Sequence, residues 1–338
     1  MFRSLVVSSM FTAALASQVQ TTAYVQESTV GAYGNVGPLG CLATGALAEA
    51  HSQILIPARY LPGPGAVLLG LAALGASSSG TNTTLTYSSL RITISRTAAT
   101  SLNANFASNL PAPQVLLNVT NLTVNWQANA FTPITFVNSY SHDGTSSLVI
   151  DIQKVVSPVG DASMKTIQNA RRTDLPRMIN ALGGVGSGAH AAVNATVTTN
   201  SPLSLQLRWA GPAGQFTPTV KLKSDPATPL NSQFAIGRTM DITVQGAPGG
   251  FFVNLESLSL QNTPIAIAGV LGGFWLGSSV TLNLGLLPPN GQSTLTQTIP
   301  NNASFVGLLL AFQSVVAEQP LVLWRLTNVA DAIITSGA

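Results

Sequence analysis

Three histidines (His51, His142 and His190), one cysteine (Cys41) and eleven acidic residues hold most of the acid, base and metal-binding capacity of this 338-residue chain. No histidine stands in an H-x-x-x-H or H-E-x-x-H frame. A structural zinc needs three or four His, Cys or carboxylate ligands, so the spacing argues against one. His142-Asp143-Gly144 sets an imidazole beside a carboxylate, as in two members of a hydrolytic triad. No G-x-S-x-G elbow supplies the serine. Asp-Gly between apolar runs is instead expected to form a hairpin turn in which Gly144 takes positive φ. Paired carboxylates could cleave glycosides, but the candidates Asp143 and Asp151 stand eight residues apart. Asp143 and Asp161 are weak calcium candidates, since no D-x-D-x-D-G loop accompanies them. GGVGSG at 183–188 lacks the lysine of a phosphate loop and reads as a flexible turn. Arg171, Arg172 and Arg177 cluster around Asp174. They are a candidate contact for an anion or an acidic polysaccharide, because guanidinium forks match carboxylate and sulfate; the plainer reading is a solvated loop. Exposed aromatics could add sugar stacking, but Trp126, Trp209, Trp275 and Trp324 are each equally placed to be core residues, and the core is the default expectation.

Composition narrows the classes that could carry such residues. Hydrophobic residues make up 46% and charged residues 7%, against a usual charged share near 25%. Ser, Thr, Asn and Gln must do most of the solvating. With 14 Lys and Arg and a net charge of +3, there is no electrostatic footprint for nucleic acid. MFRSLVVSSMFTAALASQVQ has a positive start, a short apolar run and Ala14-Leu15-Ala16 at a cleavage position. It is expected to be a signal peptide over residues 1–16, too short to span a bilayer. One cysteine allows no internal disulfide, and Cys41 reads as a buried small hydrophobe. Sequons at Asn82, Asn118, Asn121, Asn194 and Asn302 do not establish glycosylation in a chain this rich in Asn, Ser and Thr.

The elements that must position these residues are strands. Leu90, Ile92 and Ile94 alternate with Arg91, Thr93 and Ser95; Leu203 to Trp209 and Val280 to Leu284 repeat the scheme. Such alternation predicts one buried and one wet face. Gly and Pro clusters at 62–65, 109–113, 247–250 and 288–291 punctuate the runs. Residues 41–50 and 162–182 compete as short helices, and 265–276 reads as a looped or β segment. A boundary is expected near Gly211 to Gln215, with seven or eight strands on each side. The expectation is an all-β chain of two antiparallel, jelly-roll-like sandwich domains with little helix, over residues 17–210 and 216–338.

Two motifs carry a resemblance. Tyr140-Ser141-His142-Asp143-Gly144 followed by Leu148-Val149-Ile150-Asp151-Ile152 resembles an aromatic-x-x-D-G-x-x-N-L-V-V-[DE]-I pattern, with Ser147 in place of Asn. Gly291, Gln292, Ile299, Pro300, Asn301, Gly307 and Gln313, with Leu326-Thr327-Asn328 beyond them, are similar to a closing G-Q…I-P-N…G…Q domain. Both patterns recur in uncharacterised secreted β-sandwich proteins of bacteria such as planctomycetes. The resemblance implies secretion and a sandwich fold and brings no activity with it.

The reading is therefore a secreted or cell-surface structural or adhesive protein, not an enzyme, with no cofactor. Low charge favours self-association or a place in an envelope. A carbohydrate-binding protein is the alternative, and a hydrolase with a site assembled from distant loops is the third. No transmembrane segment is expected after signal cleavage.

Overall fold

The computed structural model describes residues 20–24, 38–41, 45–76, 82–128, 130–157, 165–166, 178–199, 205–211, 216–224, 234–318 and 323–336. The expected signal segment, Asp161, Arg171, Arg172 and the glycine-rich boundary at 212–215 lie outside these residues, as does Arg177. The chain is all-β and sandwich-like, with no α-helix among the described residues.

The first half holds β1 (Gln20–Tyr24), β2 (Glu49–Ile56), β3 (Val67–Ala76), β4 (Thr83–Thr97), β5 (Gln114–Val119) and β6 (Leu122–Trp126). It continues with β7 (Phe131–Ser141), β8 (Ser147–Val156), β9 (Lys165–Thr166), β10 (Met178–Gly183), β11 (Val197–Thr199) and β12 (Leu205–Ala210). One sheet runs β1-β12-β3-β7, with β9 on β3. The other runs β11-β10-β2-β8-β4-β5, with β6 also on β4. All these pairings are antiparallel.

Period-two patterning explains the packing. On β12, Leu205, Leu207 and Trp209 are buried while Gln206 and Arg208 are half-buried. They meet Leu68, Leu71 and Ile134 of the same sheet and Ile54, Ile92 and Ile150 of the other in one continuous core. On β4, Leu90, Ile92 and Ile94 face that core as expected. Thr93 and Ser95, expected in water, are buried too. A loop covers that outer face: the amide of Ala112 donates to Ser95 Oγ at 3.1 Å.

The second half holds β13 (Thr219–Ser224), β14 (Thr239–Gln245), β15 (Phe251–Ser257), β16 (Leu260–Ile265), β17 (Val270–Leu271) and β18 (Phe274–Leu276). Then come β19 (Ser279–Leu286), β20 (Gln292–Thr298), β21 (Leu309–Glu318), β22 (Leu323–Leu326) and β23 (Ala330–Ile333). A three-stranded sheet, β13-β14-β20, packs Val220, Met240 and Ile242 against Phe312 and Ala332 of the sheet β17-β22-β21-β15-β19, with β23 on β21. The pair β16-β18 lies beside them, and β17-β22 is parallel. No described strand of one half pairs with a strand of the other. The halves nevertheless touch: the Tyr60 hydroxyl donates to Asp331 Oδ2 at 2.9 Å and the Val329 amide to Arg59 O at 2.6 Å. Ala58 enters an apolar cluster with Trp275, Leu276, Ala311 and Val329.

Several local expectations change. Residues 45–48 form a turn and Glu49 opens β2, so no helix runs to residue 50. The described parts of 162–182 are strand, in β9 and the start of β10. Residues 265–276 are turn and strand, as expected. Gly144 does take φ +80°, and a Cβ there would collide with Pro64. The turn is not a hairpin, however: β7 and β8 belong to different sheets, so it is an arch between layers. The same holds for Pro288 to Gly291, which joins β19 to β20 across the second sandwich. Among the described residues, twelve strands precede the expected boundary and eleven follow it, more than the pattern suggested.

Candidate functional site

A buried polar cluster lies on the outer face of the seven-stranded sheet. Glu49, His51 and Gln53 alternate along β2 and so point the same way. Register places Gln53 opposite Asp151 and His51 opposite Gln153 of β8. All except Gln153 are buried. His51 Nε2 lies 2.7 Å from Asp151 Oδ1, and its Nδ1 lies 2.8 Å from Ala192 O. Both ring nitrogens thus face oxygen acceptors. Phe106 stacks on the ring at 3.7 Å between centroids. Gln53 Nε2 donates to Asp151 Oδ1 at 2.8 Å and to Phe106 O at 2.9 Å, while Gln53 Oε1 accepts from Asn109 Nδ2 at 2.8 Å.

One turn along the strand, Glu49 has its own cradle. Oε1 accepts the Gly186 amide at 2.6 Å, and Oε2 accepts Ser187 Oγ at 3.4 Å and faces His190 Nδ1 at 2.8 Å. Burial raises the carboxyl pKa, but His190 and the Gly186 and Gly188 amides outweigh it and hold the group below its ordinary range. The glycine-rich stretch 183–188 is therefore no loose turn. It wraps an anion, and the anion is the chain's own carboxylate. An imidazole backed by a carboxylate is half of a triad, and the His190 side chain is 40% exposed. The nearby hydroxyl, Ser187 Oγ, hydrogen-bonds to Glu49 instead.

His142 and Asp143 are neighbours with no hydrogen bond between their side chains: His142 Nδ1 lies 3.8 Å from Asp143 Oδ1. His142 is buried, and burial pushes it down to about 4 against the pull of Asp143. Asp143 folds the arch: Oδ1 accepts the amides of Thr145 and Ser146 at 2.9 and 2.8 Å, and Oδ2 accepts Ser146 Oγ at 2.7 Å. Burial would raise its carboxyl pKa, but those bonds prevail and hold it well below the carboxylate range. Oδ2 also faces the Arg96 guanidinium at 3.4 Å, so both oxygens are engaged by donors of the chain itself. Asp151 stands in the middle of β8, held by His51 and Gln53. Among the described residues no three His, Cys, Asp or Glu side chains converge as a metal site.

Other residues take structural or surface places. Cys41 is buried, and burial raises its thiol pKa. Trp126 and Trp209 are fully buried and Trp275 nearly so; Trp324 is half-buried on the outer face of the sheet containing β21, edge-on to Phe251 at 6.1 Å. Gln313, of the closing motif, is a buried pin. Its Nε2 donates to Gly273 O and Thr327 O at 2.8 and 2.9 Å, and its Oε1 accepts the Trp275 amide at 3.0 Å. Gly291 and Gly307 of the same motif hold φ of +69° and +87°.

The fold and this cluster define an all-β, sandwich-like protein whose outer-sheet polar groups bind its own loops. No family model matches the chain, and no curated protein does. Among solved structures it is similar to the sporulation control protein Spo0M of Bacillus subtilis, at 9% identity and TM-score 0.18, over 35% of this chain and 49% of that one. It is similar also to a GH2 beta-galacturonidase of Eisenbergiella tayi bound to galacturonate, at 8% identity and TM-score 0.22, over 93% of this chain and 43% of that one. A Bifidobacterium dentium beta-glucuronidase matches at 9% identity and TM-score 0.22, over 92% and 47%. The chain spans less than half the length of each of these. Likenesses at these scores assign no ligand and no reaction. No helix among the described residues is long and apolar enough to cross a membrane.

Proposed function

We propose that the protein is a non-catalytic structural or adhesive component of the cell surface or extracellular space, working through contact surfaces. The closure of the outer-sheet cluster supports this reading. Both nitrogens of His51 and all polar atoms of the Gln53 side chain are engaged by neighbours within the fold. A polar network satisfied in this way rigidifies the loops around it. The low charge of the chain, 7% of residues, removes much of the repulsion between copies.

The test is fractionation of the producing cells together with activity screening of the purified chain. The protein is expected in surface or extracellular fractions and inert toward ester, peptide and glycoside substrates. Turnover that disappears in His190→Ala would overturn the reading.

A second reading, carbohydrate binding, is favoured by one observation. Trp324 and Phe251 form the aromatic part of a half-exposed face, and aromatic faces suit sugar rings. A glycan array with the wild-type chain and Trp324→Ala decides it. Binding lost in the variant supports glycan recognition, and no binding by the wild type removes it.

A further inference from the structure

We propose that the free edge of β19 pairs antiparallel with β19 of a second copy of this chain. The inference rests on the reading of a self-associating structural protein and gives it a contact surface. Among the described residues β19 ends its sheet, with β15 as its partner on one side. Its sequence, SVTLNLGL, has no charge and no proline. Natural edge strands are protected by Lys, Pro, inward charges or a covering element. β19 has none of those side chains, and Val280, Leu284 and Leu286 are 63%, 61% and 66% exposed.

The alternation seen in the strand pattern is broken at this edge. Leu282 packs against the core, while Val280 and Leu284 are exposed although the pattern assigns all three to one buried face. The register with β15 shifts between Asn254 and Leu255, leaving 283–286 regular opposite 251–254.

Hydrogen-bond direction fixes how a copy would dock. The Leu287 amide turns inward to Gly250 O at 2.8 Å. Inward and outward groups alternate along an antiparallel strand, so Gly285 also turns toward β15. Leu284 and Leu286 then direct their N–H and C=O groups to the free edge. A two-fold axis at Gly285 places Leu284 of each copy opposite Leu286 of the other, on the same face of the joined sheet. That pair exchanges backbone hydrogen bonds on both sides of the axis. The contact is isologous and closes as a dimer.

A second copy is the occupant that this chemistry fits. It brings the same neutral aliphatic pair, so leucine meets leucine and no like charges oppose. A charged peptide would find no counter-charge on SVTLNLGL. Pro288 and Pro289 follow directly and stop the ladder from extending.

Sedimentation velocity on the full chain, from dilute solution to its solubility limit, tests the pairing alongside two variants. The wild type is expected to dimerise, and Leu284→Lys to remain monomeric with an unchanged circular dichroism spectrum and melting temperature. Leu284→Cys/Leu286→Cys, oxidised, is expected to yield a covalent dimer, because hydrogen-bonded pairs have Cα atoms about 5.5 Å apart and disulfides span that distance. Either single cysteine faces leucine in this register and cross-links much less. A wild type that is monomeric throughout, a Leu284→Lys dimer as stable as the wild type, or single variants that cross-link as fully as the double overturns the pairing. A monomer still recovered from surface fractions would remove the edge contact and leave the structural role standing. A dimer absent from those fractions would do the reverse.

Discussion

Replacing Lys154 with methionine should stabilise the protein, and by an amount that depends on pH. Lys154 lies on the core face of β8, between Ala50 of β2 and Leu90 of β4. Its side chain is fully buried and its Nζ has no hydrogen-bond partner. Burial pulls the amine from 10.5 down to about 7, against a small opposing effect of Cys41. A base whose folded pKa is depressed binds fewer protons in the folded state than in the unfolded chain. Its contribution therefore weakens stability as pH falls from about 10.5 to about 7 and levels off below that. At about 1.4 kcal/mol per pH unit, a fall of that size corresponds to a penalty of about 5 kcal/mol for the protonated amine. Methionine has a similar shape and nothing to protonate. Urea unfolding of both proteins, followed by tryptophan fluorescence between pH 6 and pH 10, measures the difference directly. The advantage of Lys154→Met should be largest near pH 6 and shrink by several kcal/mol toward pH 10. A difference that stays constant over that range, or a variant less stable at pH 6, would refute the reasoning.

Other perturbations have defined outcomes. Gly144→Ala places a Cβ against Pro64 at positive φ and should cost about 1–3 kcal/mol, read as a lower urea midpoint. Asp143→Ala removes the hydrogen bonds that Thr145, Ser146 and Arg96 make to its carboxylate and should cost roughly 1–3 kcal/mol at neutral pH. Because the Asp143 carboxyl titrates low in the fold, its contribution is present above its ordinary pKa and lost as pH falls toward the folded value; the gap to wild type should close in acid. Gln313→Leu strips partners from the Trp275 amide and from Gly273 O and Thr327 O; faster amide exchange in 260–276 is the expected readout. Glu49→Gln should loosen 184–190, seen as proteolysis near Gly186, with the wild type losing the same protection as acid protonates Glu49.

Much of the sheet structure was legible, and the reason is local. Leu205, Leu207 and Trp209 alternate with Gln206 and Arg208 because one face meets the core and the other stays half-buried. The positive φ of Gly144 and Gly291 could be read from the turn chemistry around them. What lies on top of a sheet could not be read from its strands. Thr93 and Ser95 look like wet residues, yet a loop covers them. His51 and Asp151 are 100 positions apart, and only the register of β2 on β8 brings them together. The one signal that could have found Glu49's partner was the glycine run at 183–188, whose amides are suited to an anion. Whether turns stay in a sheet or cross between sheets was equally hidden, since the same residues serve both. The four tryptophans look alike as sequence, and tertiary packing alone singles out Trp324.

The turn at 58–60 bears on how such a chain could be reused. Through Ala58, Arg59 O and Tyr60 it inserts into Trp275, Ala311, Val329 and Asp331, so the closing half carries a socket shaped by a loop some 270 residues upstream. Spliced behind an unrelated leader, that half would show water an apolar hollow where Ala58 belongs. Recombination could move the two halves together but would be penalised for parting them. Variation at Ala58 or Tyr60 should accordingly be matched by changes in the socket, a pattern of paired inheritance across the full length of the gene.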